Sequence, residues 1–265
     1  MRLGTVIGAA LLLSSTAAIA QFEPIISPVP EGIEAQDSAG FTKGNYAELD
    51  QLPDWGGIWF VSFGRGPNDP PPSSPQLKGE YLEHLEQWRA EVSANNGIER
   101  RPRGNCSPPG LPRIMQLPQY PYEFLFTPGR VTINQEAWMQ TRTVWTDGRD
   151  HPPIEEIDPS YHGHSIGHWE GDVLVVDTVG ISSALEIDNG ATHSDQFRLE
   201  ERIYISPDNP DLLINDMRMT DPEAFEVPFE VRVRYQRDRH GALIEFQCSQ
   251  NDRNPVDAEG YTLYE

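Results

Sequence analysis

The chain has 265 residues, of which 41 are acidic and 20 are basic, so its formal net charge is −21 at pH 7. A strongly acidic surface repels the phosphates of nucleic acids and of anionic membranes, and we therefore expect no nucleic-acid partner. Beyond the N-terminal segment, no stretch is apolar for the roughly 20 residues that a membrane helix requires. We expect no membrane span.

The first twenty residues are predicted to form a secretory signal peptide. Arg2 gives the start a positive charge, an apolar stretch runs from Val6 to Leu13, and Ala18-Ile19-Ala20 supplies a small-x-small cleavage site before Gln21. We therefore expect cleavage after Ala20 and a periplasmic or secreted product.

The rest of the chain is predicted to hold one domain. Residues 21–53 contain Pro, Gly and acidic residues without periodicity, which indicates an extended arm. Residues 54–265 are predicted to form a single β-barrel-like domain that carries a helical and Pro-rich insertion at 67–119. Within that insertion, apolar residues at spacings of three and four between Gln76 and Val92 predict one amphipathic helix.

One run of β-forming residues precedes the insertion, and further runs separated by short turns follow it. They predict strands at 57–63, 122–127, 130–136, 138–146, 165–169, 173–178, 197–205, 211–220, 229–237 and 242–248. In the strand 197–205, one face is predicted to hold Phe197, Leu199, Ile203 and Ile205. The expected fold class is mainly β, an antiparallel barrel or a sandwich of about ten strands, because open sheet edges are a liability.

The two cysteines, Cys106 and Cys248, are far apart in a chain expected to enter an oxidising compartment. We predict a disulfide between them. A bond that closes a loop of roughly 140 residues would stabilise the fold by about 4–5 kcal/mol in the chain-entropy model.

Short motifs resemble known families. Gly57-Ile58-Trp59 is similar to the Gly-x-Trp signature of lipocalins and related calycin barrels, and Thr220-Asp221 is similar to their later Thr-Asp element. This resemblance implies an up-and-down barrel with an apolar ligand cavity. Longer segments resemble an uncharacterised family of exported bacterial proteins, and they lie at residues 106–113, 146–152, 167–178 and 193–195. This second resemblance implies no particular reaction.

Five of the seven histidines lie between positions 151 and 193. On a continuous strand, His162, His164 and His168 would share one face, and with His193 or a carboxylate they would make a site for Zn²⁺ or another transition metal. The alternative is that these histidines lie on exposed loops beside Gly163 and Gly167.

Acid–base catalysis is the other use for these side chains, because the pKa of imidazole lies nearest neutral pH. A nearby carboxylate would orient the ring, and an arginine would stabilise a developing oxyanion. The predicted catalytic set is His164, His193, Asp147, Arg149 and Tyr161. The alternative for Asp147 is a structural turn with Gly148, and for Arg149 a local ion pair.

These features predict an exported enzyme that uses histidine and carboxylate acid–base catalysis on a small, partly apolar molecule, as a lyase, isomerase or hydrolase. The alternative is a lipocalin-like binding protein that performs no chemistry. The expected partner in both cases is a small-molecule ligand or substrate. We expect no organic cofactor, since P-loop and Rossmann motifs are missing from the sequence.

Overall fold

The computed structural model describes residues 46–62, 64–66, 69, 71, 73–99, 107–248 and 258. The predicted signal peptide and Cys106 lie outside these residues, as does the predicted arm up to residue 45. The end of that arm, Tyr46–Gln51, forms a 3₁₀ helix instead of an extended segment. Its last turn is closed by a backbone hydrogen bond from Leu52 N to Leu49 O at 3.1 Å.

Nine strands of the described residues close into a barrel, which confirms the predicted mainly β barrel fold. Each strand pairs with its neighbours in chain order, and β9 returns to β1. The strands are β1 Ile58–Val61, β2 Tyr122–Thr127, β3 Arg130–Gln135, β4 Gln140–Trp145, β5 His164–Glu170, β6 Val173–Val179, β7 Arg198–Ser206, β8 Asn209–Thr220 and β9 Phe229–Asp238.

The predicted strand at 242–248 does not form. Residues 242–247 follow β9 without regular structure. Their backbone groups bond to side chains instead of to a neighbouring strand: Ile244 N donates to Glu136 Oε2 at 2.9 Å, and Phe246 N contacts Met139 Sδ at 3.4 Å. The barrel is therefore closed without this segment.

One neighbouring pair of strands, β4 and β5, is parallel, whereas the others are antiparallel. Only Val144↔Ser165 and Trp145↔Ile166 are paired between them. A parallel pair cannot be joined by a tight turn, so the chain needs a long connection. Residues 146–163 make this connection, and we call them the crossover.

The predicted amphipathic helix is confirmed as α1, Gly79–Ala94. Its Leu85 is buried in the core cluster, and Lys78 N, just before the helix, donates to Ala224 O at 3.0 Å. Trp88 packs so closely on Gly190 that a Cβ there would lie 2.4 Å from the indole ring. Among the described residues, none of the helices combines the length and the apolar character that spanning a membrane requires.

The inner face of the barrel is mostly apolar and carries Trp59, Tyr122, Ile133, Leu199 and Tyr235, all with no exposed surface. It also holds a set of polar side chains that we call the interior polar cluster. The cluster consists of Gln135, Arg142, Ser165, Thr178, Glu201 and Asn215, each at most 2 % exposed.

Arg142 is the centre of this cluster. Its guanidinium donates to Ser165 Oγ at 3.2 Å and to Thr178 Oγ1 at 3.0 Å, and it forms an ion pair with Glu201. The other carboxylate oxygen of Glu201 accepts from Asn215 Nδ2 at 2.8 Å. Two buried charges are thus compensated by each other and by neutral donors and acceptors.

Strand β7 departs from the predicted pattern at one inward position. Leu199 and Ile203 do point inward, as predicted, but Glu201 lies between them and shares their direction. A charged residue at an inward position is tolerated here because Arg142 faces it across the barrel.

Replacing Arg142 by Met should destabilise the protein by about 3–5 kcal/mol, because Glu201 would remain buried without a counter-charge. The double variant R142M/E201L should recover part of this loss. Urea unfolding measures both. As a control, R218M removes an exposed pair with Glu200 on the outer face and should cost at most about 1 kcal/mol. Equal losses in R142M and R218M would show that the interior pair is unimportant.

Candidate functional site

The candidate site lies on the outer face of the barrel, where the crossover covers β5 and β6. Ser165 and Thr178 point inward, so His164 and Asp177, their neighbours in sequence, point outward. The register pairs His164 with Val179 and Ile166 with Asp177. His164 and Asp177 are therefore diagonal neighbours on the outer face.

His151, from the crossover, joins these two side chains. Its Nδ1 lies 2.8 Å from His164 Nδ1, and its Nε2 lies 3.2 Å from Asp177 Oδ2. Arg198 fixes the carboxylate of Asp177 with two hydrogen bonds, at 2.6 and 2.5 Å. We call Asp177, His151 and His164 the histidine relay.

When both histidines of the relay are neutral, the carboxylate of Asp177 determines which ring nitrogens carry the protons. Ionised Asp177 only accepts hydrogen bonds, so His151 Nε2 must donate to it. Neutral His151 then has a bare Nδ1, which accepts from His164 Nδ1–H. His164 Nε2 is consequently left with a free lone pair.

Asp147 and Arg149 lie in the crossover beside the relay and form a local ion pair, with Arg149 Nε 2.9 Å from Asp147 Oδ1. This hydrogen bond lowers the pKa of Asp147. The Arg149 guanidinium also stacks on Trp145, 3.8 Å from the ring centroid. The pKa of His164 is lowered by burial first, then by the neighbouring His151 and by Arg149.

Three of the five predicted catalytic residues, Asp147, Arg149 and His164, therefore lie near one another. His193 is in a different environment: it is 2 % exposed, its Nδ1 donates to Ser194 O at 2.8 Å, and its ring lies 4.4 Å from that of Phe197. Tyr161 lines a separate groove of about 530 Å³ with Pro108, Ser160 and Leu185. His193 and Tyr161 make no hydrogen bond to the relay.

The predicted metal ligands do not form a common set. His164 and His168 share the outer face of β5, but the side chain of His168 is 65 % exposed and lies 3.3 Å from Glu170. His162 precedes the strand, so the alternation that would have placed it beside His164 does not apply. Within the described part of the chain, no group of three His, Cys, Asp or Glu side chains is arranged to hold a metal ion.

The predicted catalytic set does not include His151 or Asp177. The two-residue turn Gly171-Asp172 fixes the register of β5 and β6 and could have placed Asp177 beside His164. No local signal could have placed His151, because it reaches the strands from an irregular connection. Gly163-His164-Ser165-Ile166-Gly167 has the Gly-x-Ser-x-Gly spacing of the nucleophile elbow in α/β-hydrolases. It does not form that turn, because Ser165 lies within a strand and is buried against Arg142.

No family model matches the chain, and no curated protein is significantly similar to it. The resemblances noted in the sequence therefore stay expectations.

Lowering the pH from 7 to 5 should reduce the free energy of unfolding. Burial, with a contribution from Arg142, lowers the pKa of His162 to about 4, and burial also lowers the pKa of His193. Below the ordinary pKa of 6.5, the unfolded chain binds protons that the folded protein does not bind until the pH nears 4. Stability should fall by at most about 1.4 kcal/mol per pH unit for each histidine.

Urea unfolding at pH 7 and pH 5 measures this effect. H162N should reduce the difference between the two conditions. An undiminished difference in H162N would contradict the assignment.

Proposed function

We propose that the protein is an exported enzyme that carries out acid–base chemistry on a small, partly apolar molecule, as a lyase, isomerase or hydrolase. The observation that carries the proposal is the histidine relay. A carboxylate, an orienting imidazole and a terminal imidazole are linked by contacts of 3.2 and 2.8 Å. His164 is the general base, and its Nε2 takes the substrate proton.

The environment of His164 suits this role. Its lowered pKa keeps the imidazole neutral at pH 7, so that it is ready to accept a proton. When His164 becomes charged, its Nδ1–H donates a stronger hydrogen bond to His151, which Asp177 polarises in turn. Arg198 holds the carboxylate of Asp177 in place.

Arg149 is placed to interact with a negative charge on the substrate. Its Nε and Nη2 are bonded to Asp147, and its side chain is 32 % exposed. Nη1 makes no hydrogen bond within the described residues and is available to an oxyanion or a carboxylate. In this proposal Asp147 orients Arg149 and does not itself transfer a proton.

A lipocalin-like binding protein is the second candidate, and a cavity supports it. Strand β1 is four residues long and pairs with only the last part of β9, from Tyr235 onward. Beside the part of β9 that pairs with β8 but not with β1 lies a cavity of about 390 Å³, whose lining includes Val61, Phe229 and Val233 together with the charged side chains of Asp69, Arg232 and Arg234. This volume lies in the range of small-molecule sites.

Conversion of a small-molecule extract separates the two candidates. Untagged wild-type protein should consume at least one compound detected by mass spectrometry, and proton transfer at carbon should incorporate deuterium in D₂O. H164Q should lower the rate by about 10²–10⁴-fold, the usual contribution of a general base.

H168Q provides the matched control, because His168 lies on the same face of β5 and should be dispensable. Equal conversion by wild type and H164Q would exclude His164 as the base. A compound that is retained but not converted, with binding that is insensitive to H164Q, would favour the binding protein.

The proposed export is linked to the predicted disulfide. Thiol titration of denatured protein purified from the periplasm or the medium should find no reactive thiol until a reductant is added, and two thiols afterwards, from Cys106 and Cys248. The variant C106S/C248S should unfold at lower urea, because its unfolded chain is less constrained. Two reactive thiols before reduction would contradict the prediction.

A further inference from the structure

The cavity of about 390 Å³ beside β9 lies where the wall of the barrel is incomplete. Strand β1 ends at Val61, and a backbone bond from Ser62 N to Arg234 O at 2.7 Å is the last link between its continuation and β9 among the described residues. Residues 229–233 of β9 pair with β8 alone. Side chains from both faces of β9 therefore line the cavity, among them Val233 from the inner face and Arg234 from the outer face.

We propose that this cavity binds a small aliphatic carboxylic acid in its ionised form. Arg234 binds the carboxylate, and the inner face of β9 binds the aliphatic chain. The inference rests on the second candidate function, for which it names the ligand class, and it does not involve the histidine relay.

The apolar part of the cavity comes from the inner face of β9 and from two other segments. Phe229 and Val233 are 7 % and 6 % exposed, and Val61 and Ile187 complete this wall. Each methylene group that a ligand buries against such a wall should tighten binding roughly fourfold. The wall therefore favours a ligand with an aliphatic chain.

The polar part of the cavity is a guanidinium whose edge is open to a ligand. Arg234 donates through Nη1 to Asp69 Oδ1 at 3.0 Å, whereas its Nε and Nη2 make no hydrogen bond within the described residues. Gly66 lies against this guanidinium so closely that a Cβ there would be 2.3 Å from Nη1, which restricts its movement. Nε and Nη2 form one edge of the planar fork, and a carboxylate can accept from both.

The neighbouring arginine shows how this edge is used. Arg232 donates from Nε and Nη2 to the two carboxylate oxygens of Asp216, at 2.5 and 2.8 Å. Arg198 does the same with Asp177 in the relay. Arg234 lines the cavity without a carboxylate of the described chain on the same edge, so the ligand would supply one.

The acidic side chains closest to these arginines already accept hydrogen bonds. Asp69 Oδ1 accepts from Arg234, its Oδ2 accepts from Gly66 N at 2.5 Å, and both oxygens of Asp216 accept from Arg232. The hydrogen-bonding capacity that remains on the two arginines consists of N–H donors. This excess of donors favours an anionic ligand over a cationic one.

Two further acids line the cavity but do not reverse this preference. Glu230 is 67 % exposed on the outer face, where Arg218 lies 3.6 Å from it, and Asp188 Oδ1 accepts from Asn189 N at 2.8 Å. The net charge of −21 opposes an anion at long range. Because salt screens exposed charges beyond about 8 Å, the guanidinium in direct contact determines which ligand is bound.

Calorimetry of untagged wild-type protein with octanoate as the probe tests the proposal. Octanoate should bind at least about tenfold more tightly than 1-octanol, which has the same chain without the charge, because charge-assisted hydrogen bonds are stronger than neutral ones. Butyrate should bind at least about tenfold more weakly than octanoate, because it buries fewer methylene groups.

Three variants locate the site. R234Q should weaken octanoate binding at least about tenfold and leave octanol binding nearly unchanged, whereas R234K, which keeps the charge but loses the planar fork, should fall between R234Q and wild type. R218Q is the matched control, because Arg218 forms exposed pairs on the outer face of β8, and it should bind octanoate like wild type. Circular dichroism confirms that each variant is folded.

The ranking of the probes on wild-type protein needs no variant. Equal affinity for octanoate and octanol, tighter binding of octylamine than of octanoate, or no binding of octanoate would overturn the ligand class. So would unchanged octanoate affinity in a folded R234Q. A neutral compound retained from the extract would overturn the ligand class and leave the second candidate function intact, and H164Q tests the enzyme separately.

Discussion

The parallel pairing of β4 and β5 is the constraint from which the site follows. Antiparallel neighbours can be joined by two residues, as β5 and β6 are at Gly171-Asp172, but parallel neighbours cannot. The chain must therefore leave the sheet after Trp145 and return before His164. In doing so, it places His151 and Arg149 over the outer face of β5, where no hairpin would have placed them.

Strands β5 and β6 carry different kinds of side chain on their two faces. Ser165 and Thr178 join the interior polar cluster around Arg142, while their neighbours His164 and Asp177 belong to the relay outside. The interior ion pair is fully buried, bonded to neutral side chains and part of the core. The outer set is partly exposed and held by one irregular segment, which leaves it room to meet other molecules. Because successive side chains of β5 and β6 point to opposite faces, these two strands contribute to a structural cluster inside the barrel and to a candidate functional site outside it.

Much of the fold could be predicted from local patterns. The spacing of Leu85 and its neighbours indicated the helix, and Pro128-Gly129 and Gly171-Asp172 indicated two hairpins with the correct turn residues. Local sequence patterns gave wrong predictions where the conformation of a segment depends on a residue distant in the chain. Glu201 was not recognised as inward because its partner, Arg142, is 59 residues away in the chain. Residues 242–248 resemble a strand, but their backbone bonds to side chains of the turn before β4.

The site could be predicted only in part for the same reason. Asp147, Arg149 and His164 are close in sequence and remain close in space. The prediction grouped His193 with them because it is close in sequence. In the structure, β6 and the loop that follows it place His193 beside Phe197. His151 was missed because its position depends on the path of an irregular connection, which hydrophobic periodicity does not encode.

The first strand joins β9 through four residue pairs but contributes little to the junction with β2. It meets β2 at a single pair, Trp59↔Tyr122, so the backbone alone makes a weak seam at that point. The ring of Trp55 reinforces this junction: it packs 5.3 Å from Phe124 and 5.2 Å from Phe126 of β2, and Trp59 Nε1 donates to Trp55 O at 3.0 Å. Aromatic packing thus holds β1 against β2 where the backbone pairing is shortest, and we expect transient opening of the native barrel to begin at this junction.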